Sequence, residues 1–153
     1  MKNIIIISDT HGRLPKDINF WENLENADYI IHLGDGLKDI NTLKEAFNEK
    51  LIYVYGNCDF MSCNHEQLIS IEDAKLFITH GQDYRVKSNT LDLQMRGLEL
   101  GADCCLYGHT HNPDISDFEN IKLINPGSLG YTRTYCYMSI IGKKILAKIV
   151  QLY

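Results

Sequence analysis

The 153-residue chain has no apolar run long enough to cross a bilayer. Its longest early cluster, Ile4-Ile5-Ile6-Ile7, is far too short for a signal-peptide core and meets Asp9 almost at once. It lacks an excess of basic charge. Fifteen Lys and Arg stand against twenty Asp and Glu, for a net charge of −5, which argues against a general nucleic-acid binder. A phosphate-bearing substrate is not excluded, because bound metal ions supply positive charge locally. The five cysteines are odd in number and show no CxxC spacing, so neither a disulfide framework nor a thiolate-rich structural zinc site is expected. A reducing, cytoplasmic home follows as an expectation. Repeats, low-complexity tracts and linkers are absent, as is any insertion of cap-domain length, so residues 1–153 read as one domain.

What the chain does have is a series of β-branched or aromatic runs, each closing on a polar cluster. Ile4–Ile7 ends in Ser8-Asp9-Thr10-His11-Gly12, Tyr29–Leu33 in Gly34-Asp35-Gly36, and Leu51–Tyr55 in Gly56-Asn57-Cys58-Asp59. Between them lie amphipathic stretches. One is expected to start near Pro15, with Leu14, Ile18, Trp21 and Leu24 on one face, and the next carries Leu37, Ile40, Leu43 and Phe47. Strand–helix–strand–helix–strand is the signature of a parallel layer with helical crossovers.

The second half reads as a hairpin (Gln67–Ile71, Lys75–Thr79) ending in His80-Gly81, then a helix from about Ser88 to Leu100 with Leu91, Met95 and Leu98 inward. A strand follows from Asp103 to Tyr107, running into Gly108-His109-Thr110-His111. A hairpin (Ile115–Phe118, Ile121–Ile124) closes on Asn125-Pro126-Gly127-Ser128, and two antiparallel strands (Tyr135–Ile141, Lys144–Val150) complete the chain. Cys104 and Cys105, adjacent in a strand, are expected on opposite faces. The fold class is α/β, a four-layer-type sandwich of two mixed β-sheets flanked by helices.

Asp9, His11, Asp35, Asn57, His80, His109 and His111 all fall just past predicted strand ends, the edge where open α/β sheets bind ligands. Two carboxylates, one amide oxygen and four imidazoles suit Mn, Fe, Zn, Ni or Co and do not suit an all-oxygen calcium cage. Seven donors exceed the needs of one tetrahedral site and suffice for two ions sharing a carboxylate.

Asp9-Thr10-His11, Gly34-Asp35, Gly56-Asn57-Cys58-Asp59, His80-Gly81 and Gly108-His109-Thr110-His111 resemble, in order, the motif set of calcineurin-like metallophosphoesterases. The Gly-Asn-Cys-Asp variant and the Asn125–Ser128 box resemble the small prokaryotic phosphodiesterase branch. The resemblance implies that Asp9, His11 and His111 hold one divalent ion and Asn57, His80 and His109 another, with Asp35 bridging. Manganese comes first, while Ni, Fe, Zn or Co also fit. It further implies hydrolysis of a phosphodiester-containing small molecule or nucleotide by a bridging hydroxide, with Asp35, Asn57 and His109 at the reaction centre. No membrane partner is implied, and a homo-oligomer stays open. A phosphomonoesterase, or a non-catalytic scaffold like the retromer subunit of this superfamily, is the alternative.

Arg13 is the candidate substrate clamp, and Phe60, Tyr84, Tyr131 and Arg133 are placed in loops around the crevice. His32 reads as a core or supporting histidine and His65 as a surface one. Cys58 is the departure. Many members carry a histidine there, oriented by the following acid (here Asp59), which protonates the leaving group. A thiol is a poor substitute, so aryl phosphodiesters, whose leaving groups need little protonation, are the expected best substrates. Replacing Cys58 by His is expected to raise turnover most for alkyl leaving groups. Steady-state rates on paired aryl and alkyl diesters check this, and no gain on either places the proton source elsewhere.

Overall fold

The computed structural model describes residues 1–153. Ten strands form two five-stranded mixed sheets, with three helices on their outer faces. In the first sheet, β1 (Lys2–Ile7), β2 (Tyr29–His32) and β3 (Leu51–Tyr53) run parallel, joined by α1 (Ile18–Asn26) and α2 (Leu37–Phe47). Two long antiparallel strands, β9 (Thr134–Ile141) and β10 (Lys144–Gln151), extend it on the other side of β1, giving the order β10-β9-β1-β2-β3.

The second sheet has the order β4-β5-β6-β8-β7. It is built from β4 (Glu66–Ile71), β5 (Ala74–Thr79), β6 (Cys104–Leu106), β7 (Asp114–Phe118) and β8 (Ile121–Asn125), with α3 (Leu91–Leu100) leading into β6. The inner trio β5, β6 and β8 is parallel and each edge strand is antiparallel to its neighbour.

Strand alternation assigns every β1 side chain to a layer. Ile4 and Ile6 face the second sheet and join Ile31, Leu33, Leu76, Ile78, Leu106 and Met138 in the inter-sheet core. Ile5 and Ile7 face outward and are sealed by Phe20 and Leu24 of α1 and Leu43 of α2. Both faces of β1 are covered, which is why four consecutive isoleucines are tolerated there. The cysteine pair obeys the same rule, with Cys104 between the sheets and Cys105 under α3.

Two local expectations differ from the structure. Helix α1 begins at Ile18, after Pro15, because Asp17 caps it: its carboxylate accepts the Phe20 N–H at 2.9 Å. Ile18 is exposed, and Phe20 takes the buried position instead. In α3 the inward face is reversed. Leu91, Met95 and Leu98 are 56%, 49% and 41% exposed, while Leu93 is fully buried and Gly97 lies against Cys105. The close approach explains the choice, since a Cβ at Gly97 would stand 2.6 Å from the Cys105 sulfur. Only the glycine side of α3 gets near enough to β6 to pack.

Substitution separates the two faces of α3. Leu93→Ala should cost about 2–5 kcal/mol, as truncating a buried leucine does, whereas Met95→Ala should stay within about 0.5 kcal/mol. Urea unfolding midpoints measure both, and equal effects would contradict this packing.

Candidate metal centre

The carboxyl ends of the parallel strands of both sheets meet at one end of the sandwich. Asp9 follows β1, Asp35 follows β2, Asn57 opens a 3₁₀ turn (Asn57–Asp59) after β3, His80 follows β5, and His109 and His111 follow β6. The structure brings Asp9, His11, Asp35, His80, His109 and His111 to one cleft spanning the seam between the sheets, with Asn57 exposed at its mouth.

Each aspartate turns one oxygen to the protein and the other to the cleft. Asp9 Oδ2 accepts the Ser8 hydroxyl at 2.6 Å and the His109 N–H at 3.0 Å. Its Oδ1 lies 3.2 Å from His111 Nε2, 3.7 Å from His11 Nε2 and 3.8 Å from His80 Nε2. Asp35 Oδ1 accepts the Cys58 N–H at 2.8 Å, and its Oδ2 lies 3.2 Å from His80 Nε2 and 3.9 Å from His11 Nε2. Donor atoms within 4.8 Å of one another form three groups: Asp9, His11 and His111; Asp35, His80 and His109; and His11, Asp35 and Cys58. The exposed Asn57 sits at the mouth, its amide N–H₂ directed at the Cys58 sulfur at 3.5 Å.

The electrostatics are set by burial opposed by close pairing. Burial disfavours the Asp9 anion, yet His11, His80, Ser8 and the His109 N–H together hold its carboxyl below the usual range. Asp35 is likewise held well below it against its own desolvation, chiefly by His80 and the Cys58 N–H. Asp9 raises the pKa of His11. For His80, desolvation is outweighed by Asp35 and Asp9, and its pKa rises too. Burial pushes His109 down, helped by His80 and by the Lys87 ammonium.

A metal fits this arrangement on two grounds. Three buried polar atoms have no hydrogen-bond partner: Asp9 Oδ1, His11 Nε2 and His80 Nε2. All three point into the cleft, and each is a common metal-ligand atom. Moreover, His80 Nδ1 lies 2.7 Å from the Leu33 carbonyl, which only accepts, so Nδ1 carries the proton. In the neutral ring Nε2 is then a free lone pair, as metal-binding imidazoles with a backbone-anchored Nδ1–H present it.

The loops are shaped to hold these atoms. Asp9, His11, Asp35, His109 and His111 all have φ between 47° and 69°, the left-handed region that side chains rarely occupy. A Cβ at Gly108 would stand 2.1 Å from the Ser8 hydroxyl, and one at Gly56 2.2 Å from Asp35 Oδ1, so only glycine lets these strands' ends close on the aspartates. Asp59 accepts four backbone N–H groups, from Asp35, Gly36, Leu37 and Gly56, at 2.8–2.9 Å. It ties the start of α2 to the turn that carries Asn57 and Cys58.

Residues outside the donor set support the site; Ser8 and Asp39 carry no sequence signal, whereas His32 reads from the sequence as a core or supporting histidine. Ser8 orients Asp9, and Asp39 of α2 accepts the Gly12 N–H at 2.7 Å. His32 is fully buried and its pKa is pushed down to about 4 by that burial. Its Nδ1 accepts the Gly34 N–H, so Nε2–H donates to the Thr10 hydroxyl at 3.0 Å, inside the Asp9–His11 loop. The Asn125–Ser128 box serves the same end: Asn125 binds the Gly108 carbonyl and the Thr110 hydroxyl, and the Ser128 hydroxyl donates to the Asp9 carbonyl.

At the rim, Tyr131 stacks on His111 (5.4 Å between centroids, 17° between planes) and packs against His11. The Arg13 guanidinium lies 4.7 Å from the Tyr131 ring, and Arg133 reaches the Arg13 carbonyl. Phe60 is almost fully exposed beside Cys58 and Asp59. Tyr84 is elsewhere: its ring packs on Phe77 and its hydroxyl bonds Glu66, under α3. His65 is bonded to Met61 in its own loop.

Comparison with known proteins agrees with this geometry. The calcineurin-like phosphoesterase superfamily domain matches residues 1–141. A protein of Methanocaldococcus jannaschii described as a probable metallophosphoesterase is 35% identical over 130 residues, covering 80% of this chain and 66% of the relative. A phosphodiesterase of the same organism is 35% identical over 142 residues, 80% of this chain and 81% of its own. Among solved structures, vacuolar protein sorting 29 of Cryptosporidium parvum superposes with a TM-score of 0.84 over 99% of this chain and 92% of that one, at 17% identity, a likeness of fold alone. With the family domain matched over nearly its whole length, this chain belongs to the calcineurin-like phosphoesterase superfamily.

Proposed function

We propose that residues 1–153 form one metallophosphoesterase domain without a cap, hydrolysing phosphodiesters at a dinuclear metal centre. In this reading Asp9, His11 and His111 hold one divalent ion, Asn57, His80 and His109 the other, and Asp35 both. The observation that carries it is the convergence of Asp9 Oδ1, His11 Nε2 and His80 Nε2, buried and without partners, on one cleft. Burying such atoms costs several kcal/mol each unless something binds them, on the order of 1–3 for a neutral polar group and more for a charge. Two ions, when bound, supply Lewis acidity at the phosphoryl oxygens and lower the pKa of the attacking water.

The chain's own groups do the rest. Asp9 and Asp35 stay ionised and aim one oxygen each into the cleft, fixed by donors on the other. His80 is held by Leu33 in the tautomer that leaves Nε2 free. Arg13, stacked on Tyr131 at the rim, is placed to take a non-bridging phosphate oxygen. Asp59 acts through the loops it ties together and not on the substrate, and Cys58 sits in the mouth without an imidazole's capacity to protonate a leaving group. Phosphodiesters are favoured over monoesters because a phosphodiesterase of M. jannaschii is among the relatives that match most of this chain. The substrate is then a phosphodiester-containing small molecule or a nucleotide. Manganese stays the first candidate on the family resemblance, and a set of nitrogen and oxygen donors also fits Ni, Fe, Zn or Co. Five free cysteines without a disulfide agree with a reducing, cytoplasmic setting, and no helix is long and apolar enough to cross a membrane.

Metal analysis with a phosphoester panel tests the reading. Purified protein should carry divalent ions, lose turnover on chelation and regain it with Mn²⁺. Bis-aryl phosphate should be cleaved faster than mono-aryl phosphate, and Asp35→Asn should lower the rate about 100-fold or more, as losing a charge-stabilising group does. The reverse substrate order makes it a phosphomonoesterase, and metal-loaded protein with no turnover on any ester makes it a scaffold.

Thermal unfolding gives a second readout. A ligand that binds only the folded state at a hundredfold its Kd stabilises by about 2.7 kcal/mol. Mn²⁺ should raise the midpoint of the wild type accordingly and raise that of Asp35→Asn far less.

A further inference from the structure

We infer that the sulfur of Cys58 is a metal ligand, forming with His11 and Asp35 a donor group that captures thiophilic divalent ions such as Zn²⁺ and Cd²⁺ at the mouth of the centre. The inference extends the proposed dinuclear site, with which it shares His11 and Asp35.

Geometry comes first. The Cys58 sulfur, a ring nitrogen of His11 and a carboxylate oxygen of Asp35 lie within 4.8 Å of one another. Small side-chain rotations bring all three onto one ion, since zinc bonds sulfur at about 2.3 Å and nitrogen or oxygen at about 2.0–2.2 Å. The sulfur is not there by chance of a flexible loop. The Cys58 N–H is bonded to Asp35 Oδ1 at 2.8 Å, and the turn is closed by Asp59, whose carboxylate accepts from Gly56 on one side and from Asp35, Gly36 and Leu37 on the other.

A second observation shows that the cleft bordered by this sulfur is built for cations. Asp9 Oδ1, fully buried and without a partner, lies 3.7 Å from His11 Nε2, itself buried without a partner. His80 Nε2, equally buried and unpartnered, points at the Asp35 oxygen at 3.2 Å. An ion drawn to Cys58 therefore enters a space that already offers unsatisfied lone pairs.

Donor chemistry then decides which ions respond. Every other group at the centre is an oxygen or an imidazole nitrogen, and Cys58 supplies the single soft donor. Thiolate ligation favours Zn²⁺ and Cd²⁺ and adds little for Mn²⁺, a hard ion suited to oxygen. Ligation forms a metal–sulfur bond and releases the thiol proton to solvent, with no change in oxidation state. The other exposed thiol, Cys63, belongs to none of the donor groups.

Cobalt(II) is the probe that separates this inference from the reading it rests on. Protein loaded with Co²⁺ should show visible ligand-field bands from the nitrogen and oxygen centre and a near-ultraviolet sulfur-to-cobalt charge-transfer band. Cys58→Ser should keep the visible bands and lose the charge-transfer band, while Cys63→Ser keeps both. Cd²⁺ affinity should fall about tenfold or more in Cys58→Ser, with Mn²⁺ affinity unchanged. Visible bands without a charge-transfer band in the wild type, or a charge-transfer band that persists in Cys58→Ser, overturn the role of Cys58 and leave the dinuclear centre standing. A wild type with neither band overturns both.

Discussion

Two buried carboxylates facing each other's histidines are the constraint on which the rest of the structure depends. Asp9 is fully buried and Asp35 nearly so, and in the protein alone their cleft-facing oxygens meet only imidazole nitrogens at 3.2–3.9 Å. Charge placed that deep is costly unless it is paired. The chain meets part of that cost by assigning each carboxylate's second oxygen to fixed donors: Ser8 and the His109 N–H for Asp9, the Cys58 N–H for Asp35. What remains unmet is the attraction that makes the cleft bind divalent cations.

The same constraint explains why the loops are so tightly shaped. Five cleft residues sit at positive φ, a state that costs on the order of 1–3 kcal/mol each and persists only where surroundings enforce it. The enforcement is visible. Asp9 is held through its N–H to Gly34, its carbonyl to Gly130 and Ser128, and its side chain to His109. These bonds draw on β2, the β8–β9 connection and the loop after β6, so one residue's conformation is fixed by both sheets. Asp59 does the equivalent for the second loop pair through four N–H groups. Geometry at the centre is thereby carried by the backbone, which explains why so little of it depends on large side chains.

Much of this was legible in the chain, and the part that was not has a physical reason. Strands whose two faces are both buried show as unbroken β-branched runs, and the polar cluster after each shows where it ends, so the sheets and their active edge could be read from Ile4–Ile7 onward. The order of the motifs supplied the donor set; the cleft gathers its carboxylates and imidazoles, while the Asn57 amide faces the Cys58 sulfur at the mouth. Helix α3 was misread because leucine occurs on both of its faces, and spacing alone cannot tell that Gly97, not Met95, marks the packed side. The start of α1 differs from the expected Pro15 because the capping bond from Phe20 N–H to Asp17 sets it at Ile18, and that bond is not visible in the apolar spacing. His32 could be read as a core or supporting histidine, but its partner Thr10 could not, nor could the bond from Gly12 to Asp39, because a hydrogen bond across some twenty to thirty residues has no local pattern.

The position of the cleft at the seam also links function to the cohesion of the fold. Asp9 and Asp35 come from the first sheet, and His80, His109 and His111 from the second. Away from the cleft the sheets are joined by an apolar core. At the cleft end, direct polar links between the sheets include His109 N–H to Asp9, His80 Nδ1–H to Leu33 and the Gln67 amide to the Tyr53 carbonyl. The first two use residues of the donor set or their strand ends. Cations held there would be bound by ligands from both sheets, so that binding and the folded arrangement of the two sheets would favour each other. The histidines flanking Thr110 both meet Asp9 across this seam: the His109 main-chain N–H holds one carboxylate oxygen in place while the His111 imidazole faces the free one.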